Sequence, residues 1–105
     1  MKNLADIMKQ AGQMQARMAE MQTKLEGMKV HGQAGGGLVR VVMTGKMQVI
    51  GVEIDPSLLK PEEKEIVEDL LVTALGDAKS KAEALMAAEM KTVTGGLPLP
   101  PGLGF

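Results

Sequence analysis

Leu4, Ile7, Ala11, Met14, Met18, Met21, Leu25 and Met28 follow one another at alternating steps of three and four residues. This is a heptad seam, and it predicts one helix from an N-cap at Asn3 to about Met28. At 1.5 Å per residue that helix is roughly 38 Å long. A stripe so narrow is buried by another helix lying alongside, not by a broad core. Gly12 and Gly27 weaken the helix, and Gly27 stands where a C-terminal break is expected.

The period then changes. Leu38–Thr44 and Met47–Ile54 are β-type runs joined at Gly45-Lys46, where glycine is expected to supply the positive φ of a hairpin turn. Strict alternation in the second run places Ile50, Val52 and Ile54 on one face and Met47, Val49, Gly51 and Glu53 on the other. Lys29–Gln33 is a candidate third, short strand, separated from the hairpin by Gly35-Gly36-Gly37. One face of this small sheet is expected to be core, and the other to be partly covered by a partner subunit.

After the Asp55-Pro56-Ser57 turn, Pro61 suits a first helical turn, and Glu62, Glu63 and Glu65 suit the positive end of the helix dipole. A second helix is predicted to run to Met90 or Lys91, with a stripe from Ile66 to Met86 wide enough to lie on a sheet. Gly76 interrupts it, which suggests a close neighbouring backbone or a bend. Residues 95–105 are rich in glycine and proline and continue neither a helix nor a central strand. The organisation is therefore one α–β–α domain over residues 1–94 and a tail over 95–105, of the α+β class.

Composition sharpens this picture. The chain has 105 residues, a single aromatic (Phe105) and no cysteine. A core of aliphatic residues and methionine in so short a chain is thin, and association with a second copy is the natural remedy. On the seam, Leu4, Ile7, Met14, Met18, Met21 and Leu25 are the expected dimer contacts. Lack of cysteine excludes disulfides and thiolate metal sites. No apolar run reaches the about 18 residues that span a membrane, and Asp6, Lys9 and Gln10 interrupt any signal-peptide core, so a cytoplasmic protein is expected.

Net charge is −1, which hides an asymmetry. Residues 1–46 carry seven Lys/Arg against three acids, and residues 47–105 carry five Lys against ten acids. Cations concentrated in one half point to a polyanion-facing surface. Lys2, Lys9, Arg17, Lys24, Lys29 and Arg40 are the candidate phosphate contacts. No aromatic is available in the helix to stack on bases, which disfavours single-strand binding. Arg40 is equally a candidate salt-bridge partner for Glu53.

Little in the chain supports catalysis. His31 is the only histidine, and Ser57 and Ser80 lie in no nucleophile elbow. Gly35-Gly36-Gly37 precedes a strand, whereas a Walker loop or dinucleotide fingerprint opens a helix. The acids between Glu62 and Asp69 suit a helix start better than a metal cluster. No cofactor, metal or small-molecule substrate is expected. A competing expectation is a chaperone-like or adaptor module, in which Met8, Met14, Met18, Met21 and Met28 offer an adaptable apolar surface.

Four strings together resemble one family. They are Met8–Gln15 (MKQAGQMQ), Gly35–Val41 (GGGLVRV), Val52–Leu59 (VEIDPSLL) and Leu99–Gly102 (LPPG), in order along nearly the whole chain. The chain is similar to the YbaB/EbfC family of bacterial nucleoid-associated proteins. That resemblance implies an intertwined homodimer of α–β–α protomers with protruding helices, binding to double-stranded DNA, and a role in nucleoid organisation and gene regulation. It brings no catalytic or base-reading motif. Thr44-Gly45 stands where Asn-Gly is common in the family.

Overall fold

A computed structural model of the chain describes residues 3–94. Helix α1 (Leu4–Gly27) leads into strands β1 (Lys29–Ala34), β2 (Val39–Thr44) and β3 (Val49–Ile54), and helix α2 (Lys64–Thr94) follows. The third strand and both long helices agree with the sequence pattern, and α2 runs a few residues past its expected end. The notional tail, residues 95–105, lies outside the described residues.

Local chemistry sets the boundaries. The Asn3 side chain accepts the Asp6 backbone N–H at 2.9 Å, satisfying one of the free donors at the start of α1. Gly35, Gly36 and Gly37 all have positive φ and turn β1 into β2 in one short 3₁₀ turn. Asp55 accepts the Ser57 N–H at 2.9 Å and fixes the exit from β3. Pro61–Glu63 forms a 3₁₀ turn that feeds α2.

The sheet is antiparallel in the order β1-β2-β3, with α2 laid across β1 and β2. Val39, Val41 and Met43 of β2 are buried beneath Ala74, Ala78 and Ala82 of α2, with Ala34 and Leu58 at the margin. The alanines allow a very close approach. A Cβ on Gly32 of β1 would collide with the carbonyl oxygen of Ala74 and lie 2.7 Å from the Cβ of Ala78. Gly32 is thus the glycine that a neighbouring backbone requires. At Gly76, by contrast, nothing among the described residues lies within 4 Å of the missing side chain.

The β2–β3 turn also differs from expectation. Gly45 does not carry the positive φ; Met47 does, at 66°. Thr44 holds the turn instead, its hydroxyl accepting N–H groups of Lys46 and Gln48 at 3.2 Å each. A bulge between Val42 and Met43 then pairs Met43 with Val49. Because directly paired residues share a face, Val49 lies on the helix side with Val52 and Ile54, not opposite them as strict alternation predicts.

The two open edges of the sheet are treated differently. At β1, the Asp77 carboxylate accepts the Gln33 N–H at 3.0 Å and Lys81 donates to the His31 carbonyl at 2.7 Å. Asp77 and Lys81 also pair with each other at 3.2 Å. Side chains of α2 thus occupy two of the backbone groups that β1 would offer a further strand. The β3 edge carries the bulge.

Candidate nucleic-acid interface

Helix α1 meets the body of the protein only along its C-terminal half. Met21 and Leu25 are buried against Val93 of α2, with Met18, Met28, Leu85, Met86 and Met90 packed around them. The seam residues named as dimer contacts therefore divide. Met18, Met21 and Leu25 lie against α2 of their own chain, whereas Met14 is 37% exposed, Ile7 53% and Leu4 71%. The outer half of α1 projects as a prong from a molecule 70 × 26 × 16 Å in extent.

The candidate cations divide as well. Lys24 pairs with Glu89 at 3.0 Å, and Glu89 is only 14% exposed. Lys46 pairs with Glu26 at 3.2 Å. Lys9, Arg17, Lys29 and Arg40 are exposed and form no ion pair with any described residue. Lys2 lies outside the described residues. Lys9 and Arg17 are eight residues apart on the prong, about 12 Å along its axis.

Arg17 borders a cleft of about 320 Å³ between the helices, lined also by Glu20, Met21, Lys24, Glu89 and Val93. Glu20 and Glu89 in that cleft temper its field. Arg40 sits far from the prong, at the glycine turn. It faces Glu53 across the β2–β3 register but makes no ion pair with it, and its guanidinium lies over Gly37, where a Cβ would come within 3.2 Å. Lys29 begins β1 opposite Thr44. The structure thus brings Lys9, Arg17 and Lys24 onto one helix and leaves Lys29 and Arg40 separate from them.

Glu89 had no role in the sequence reading, yet it neutralises one of the cations placed on α1. No sequence spacing connects residues 24 and 89; only the antiparallel packing of α1 on α2 does. Two carboxyls are held below the ordinary carboxylate range. Asp77 is lowered by the Gln33 N–H and by Lys81, and Asp55 by its hydrogen bonds to Ser57. Both belong to the scaffold. Among the described residues no group of three His, Cys, Asp or Glu side chains could hold a metal ion, and no helix is long and apolar enough to cross a membrane.

The described residues thus form a small α+β body with a projecting helix that carries Lys9 and Arg17. The comparisons name the family: the chain belongs to the YbaB/EbfC DNA-binding family, which matches residues 1–97. It is 57% identical over 105 residues to a nucleoid-associated protein of Nitrobacter winogradskyi, spanning all of this chain and 99% of that one. To a nucleoid-associated protein of Bradyrhizobium sp. (strain ORS 278) it is 59% identical over the same spans. The crystal structure of an uncharacterized protein from Helicobacter pylori shares the fold, with a TM-score of 0.75 at 23% identity, covering 90% of this chain and 96% of that one.

Proposed function

We propose that this protein is a nucleoid-associated protein that binds double-stranded DNA through the phosphate backbone, as a homodimer, and so contributes to nucleoid organisation and gene regulation in the cytoplasm. The observation that carries the reading is the placement of Lys9 and Arg17, in no ion pair with any described residue, on a helix that projects from the body of a chain of this family. Cations on a rod displace counterions from phosphates without reading bases, so little sequence preference is expected. Lys2 extends the same rod in sequence. Lys29 and Arg40 are secondary candidates, and Lys24 contributes less because Glu89 already holds it.

Self-association is supported by apolar surface that the chain leaves bare. Helix α2 covers β1 and β2, while Val52 of β3 is 47% exposed on the helix side, beside exposed Val49. A second copy seated on that face would complete the thin core. The bulge beside Val49 disfavours edge-to-edge pairing, so the face, not the edge, is the contact. Since α2 already occupies Met18, Met21 and Leu25, the seam offers a second copy at most Leu4, Ile7 and Met14.

The test is a mobility-shift titration with unrelated duplexes at several salt concentrations. Two prongs making about six phosphate contacts give a log–log salt slope near −5 and a non-specific Kd of about 10⁻⁴–10⁻⁶ M. Lys9→Glu with Arg17→Glu should abolish the shift and leave the circular dichroism spectrum unchanged. Undiminished binding by that folded variant would overturn the assignment.

A further inference from the structure

The apolar seam runs the length of α1, but α2 covers only its inner part. Val93 packs on Met21 and Leu25, with Met18 alongside. Farther out, Leu4, Ile7, Ala11 and Met14 are exposed at steps of three, four and three residues. A stripe of that spacing is narrow and suits one further helix, not a sheet or a broad core. The residues beside it are uncharged, with Asn3 and Gln10 on one flank and Met8 and Gln15 on the other. By helical periodicity Lys9 lies on the opposite side of the cylinder.

We propose that the outer half of α1 pairs antiparallel with the same half of α1 in another copy of the chain, through Leu4, Ile7, Ala11 and Met14 of each. Side-chain size selects the direction. In a parallel pair each seam residue meets its own twin, so Ala11 faces Ala11 across a gap while Ile7 crowds Ile7. Reversed about the level of Lys9, Ile7 of one copy faces Ala11 of the other and Leu4 faces Met14, and bulk is even along the seam. The flanks agree. In that register Gln10 meets Gln10, the exposed Met8 meets Met8, and Asn3 meets Arg17, so no like charges are opposed.

The prong has room for this partner. Leu4 of one copy stands level with Met14 of the other, short of Met21, where α2 covers the seam, so α2 keeps its place. From Leu4 to Met14, α1 rises about 15 Å. So short a contact buries much less than the roughly 1,200 Å² of a stable interface, and it therefore forms only where copies are concentrated. Lys9 stays outward on both helices. Where two chains are joined through β3, as proposed above, each pair carries two prongs, and pairing of prong tips links one pair to the next. The inference itself requires neither the β3 contact nor DNA.

The chain has no cysteine, so engineered disulfides report the register directly. Full-length Ile7→Cys and Ala11→Cys chains are mixed and oxidised in air at rising concentration. The expected result is a 7–11 disulfide several-fold more abundant than 7–7 or 11–11. It should form equally when both chains also carry Val52→Lys, which places a charge in the β3 contact. Sedimentation equilibrium of the parent should show mass rising with concentration. Ile7→Lys with Met14→Lys should abolish that rise and leave the circular dichroism unchanged, because both side chains are exposed. Predominance of 7–7 and 11–11 disulfides means parallel prongs and overturns the proposal. A 7–11 yield no higher than that of Ala5→Cys mixed with Gln13→Cys, a pair at the same level but off the seam, overturns it as well. So does a 7–11 disulfide that disappears with Val52→Lys, since the prongs would then meet only within a β3-joined pair.

Discussion

The backbone N–H of Gly45, in the β2–β3 turn, points at the carbonyl oxygen of Leu25 at 3.0 Å, with the Met28 carbonyl also in reach at 3.1 Å. The last turn of α1 is thereby fastened to the hairpin, and the direction of the prong is set where helix meets sheet. A Cβ on Gly45 would lie 2.9 Å from that carbonyl oxygen and 2.8 Å from a Leu25 methyl. Gly45→Ala should therefore destabilise the protein by about 1–3 kcal/mol, the usual cost of overpacking a filled site. Urea denaturation checks this; a midpoint equal to that of the parent would mean that the contact yields freely.

Glycines elsewhere should answer with different signs. Gly32→Ala drives a methyl into the backbone of α2 and should cost about 3 kcal/mol or more. Gly76→Ala meets nothing among the described residues and should stabilise α2 by about 0.5–1 kcal/mol. Thermal unfolding of the two variants in parallel would show a lowered and a raised midpoint. A lowered midpoint for Gly76→Ala would instead reveal a neighbour at that face from outside the chain.

Lys24 and Lys9 look alike in sequence and should differ in effect. Lys24→Ala leaves the largely covered Glu89 without its partner, so it should reduce stability by about 1 kcal/mol and DNA affinity only slightly. Lys9→Ala should leave stability within about 0.5 kcal/mol and lower the magnitude of the salt slope by nearly one per protomer. Parallel denaturation and mobility-shift series separate the two. Equal loss of DNA affinity in both variants would contradict this division.

Covering β3 with a second copy makes a further demand. Val52→Lys puts a charge into the proposed contact and should convert the protein to monomers in sedimentation velocity, with the circular dichroism of the folded chain retained. If the sedimentation coefficient does not change, β3 is not the contact.

Acid sensitivity follows from Asp77 and Asp55. Each carboxyl is held below its unfolded value, so each contributes stability that is fully present above about pH 4. That contribution is lost as pH falls through the lower folded value, because the carboxylate that accepts the Gln33 or Ser57 N–H becomes protonated. The stability difference between the parent and Asp77→Asn should be constant from pH 8 to about 5 and shrink below about pH 4. A difference independent of pH would show that the Asp77 charge has no part in holding the β1 edge.

Much of the architecture was legible because local signals repeat. The three-four spacing of α1, the Asn3 cap, the glycine-bounded strands and the acid-led α2 each report on neighbours within a few residues. The Val49 face was not legible, since one bulged residue reverses the alternation that follows it. Gly45 was misread for a related reason: the sequence marks a glycine as unusual but does not say whether conformation or close approach requires it. At the interface the cations were visible, but their pairing was not. Lys24 and Lys9 are both helix lysines in sequence, and the contact of Lys24 with residue 89 is not marked there.

By itself, then, the sequence determined the elements, their order and the asymmetry of charge, because periodicity and composition are properties of short stretches, and four strings along the chain carried the resemblance to a DNA-binding family. Tertiary structure decided which half of the α1 seam is buried at home, that Lys24 is paired with Glu89, and which strand α2 leaves uncovered. Those outcomes depend on contacts between residues some sixty positions apart, such as Lys24 with Glu89. Their geometry arises only when α2 folds back over the sheet and along α1.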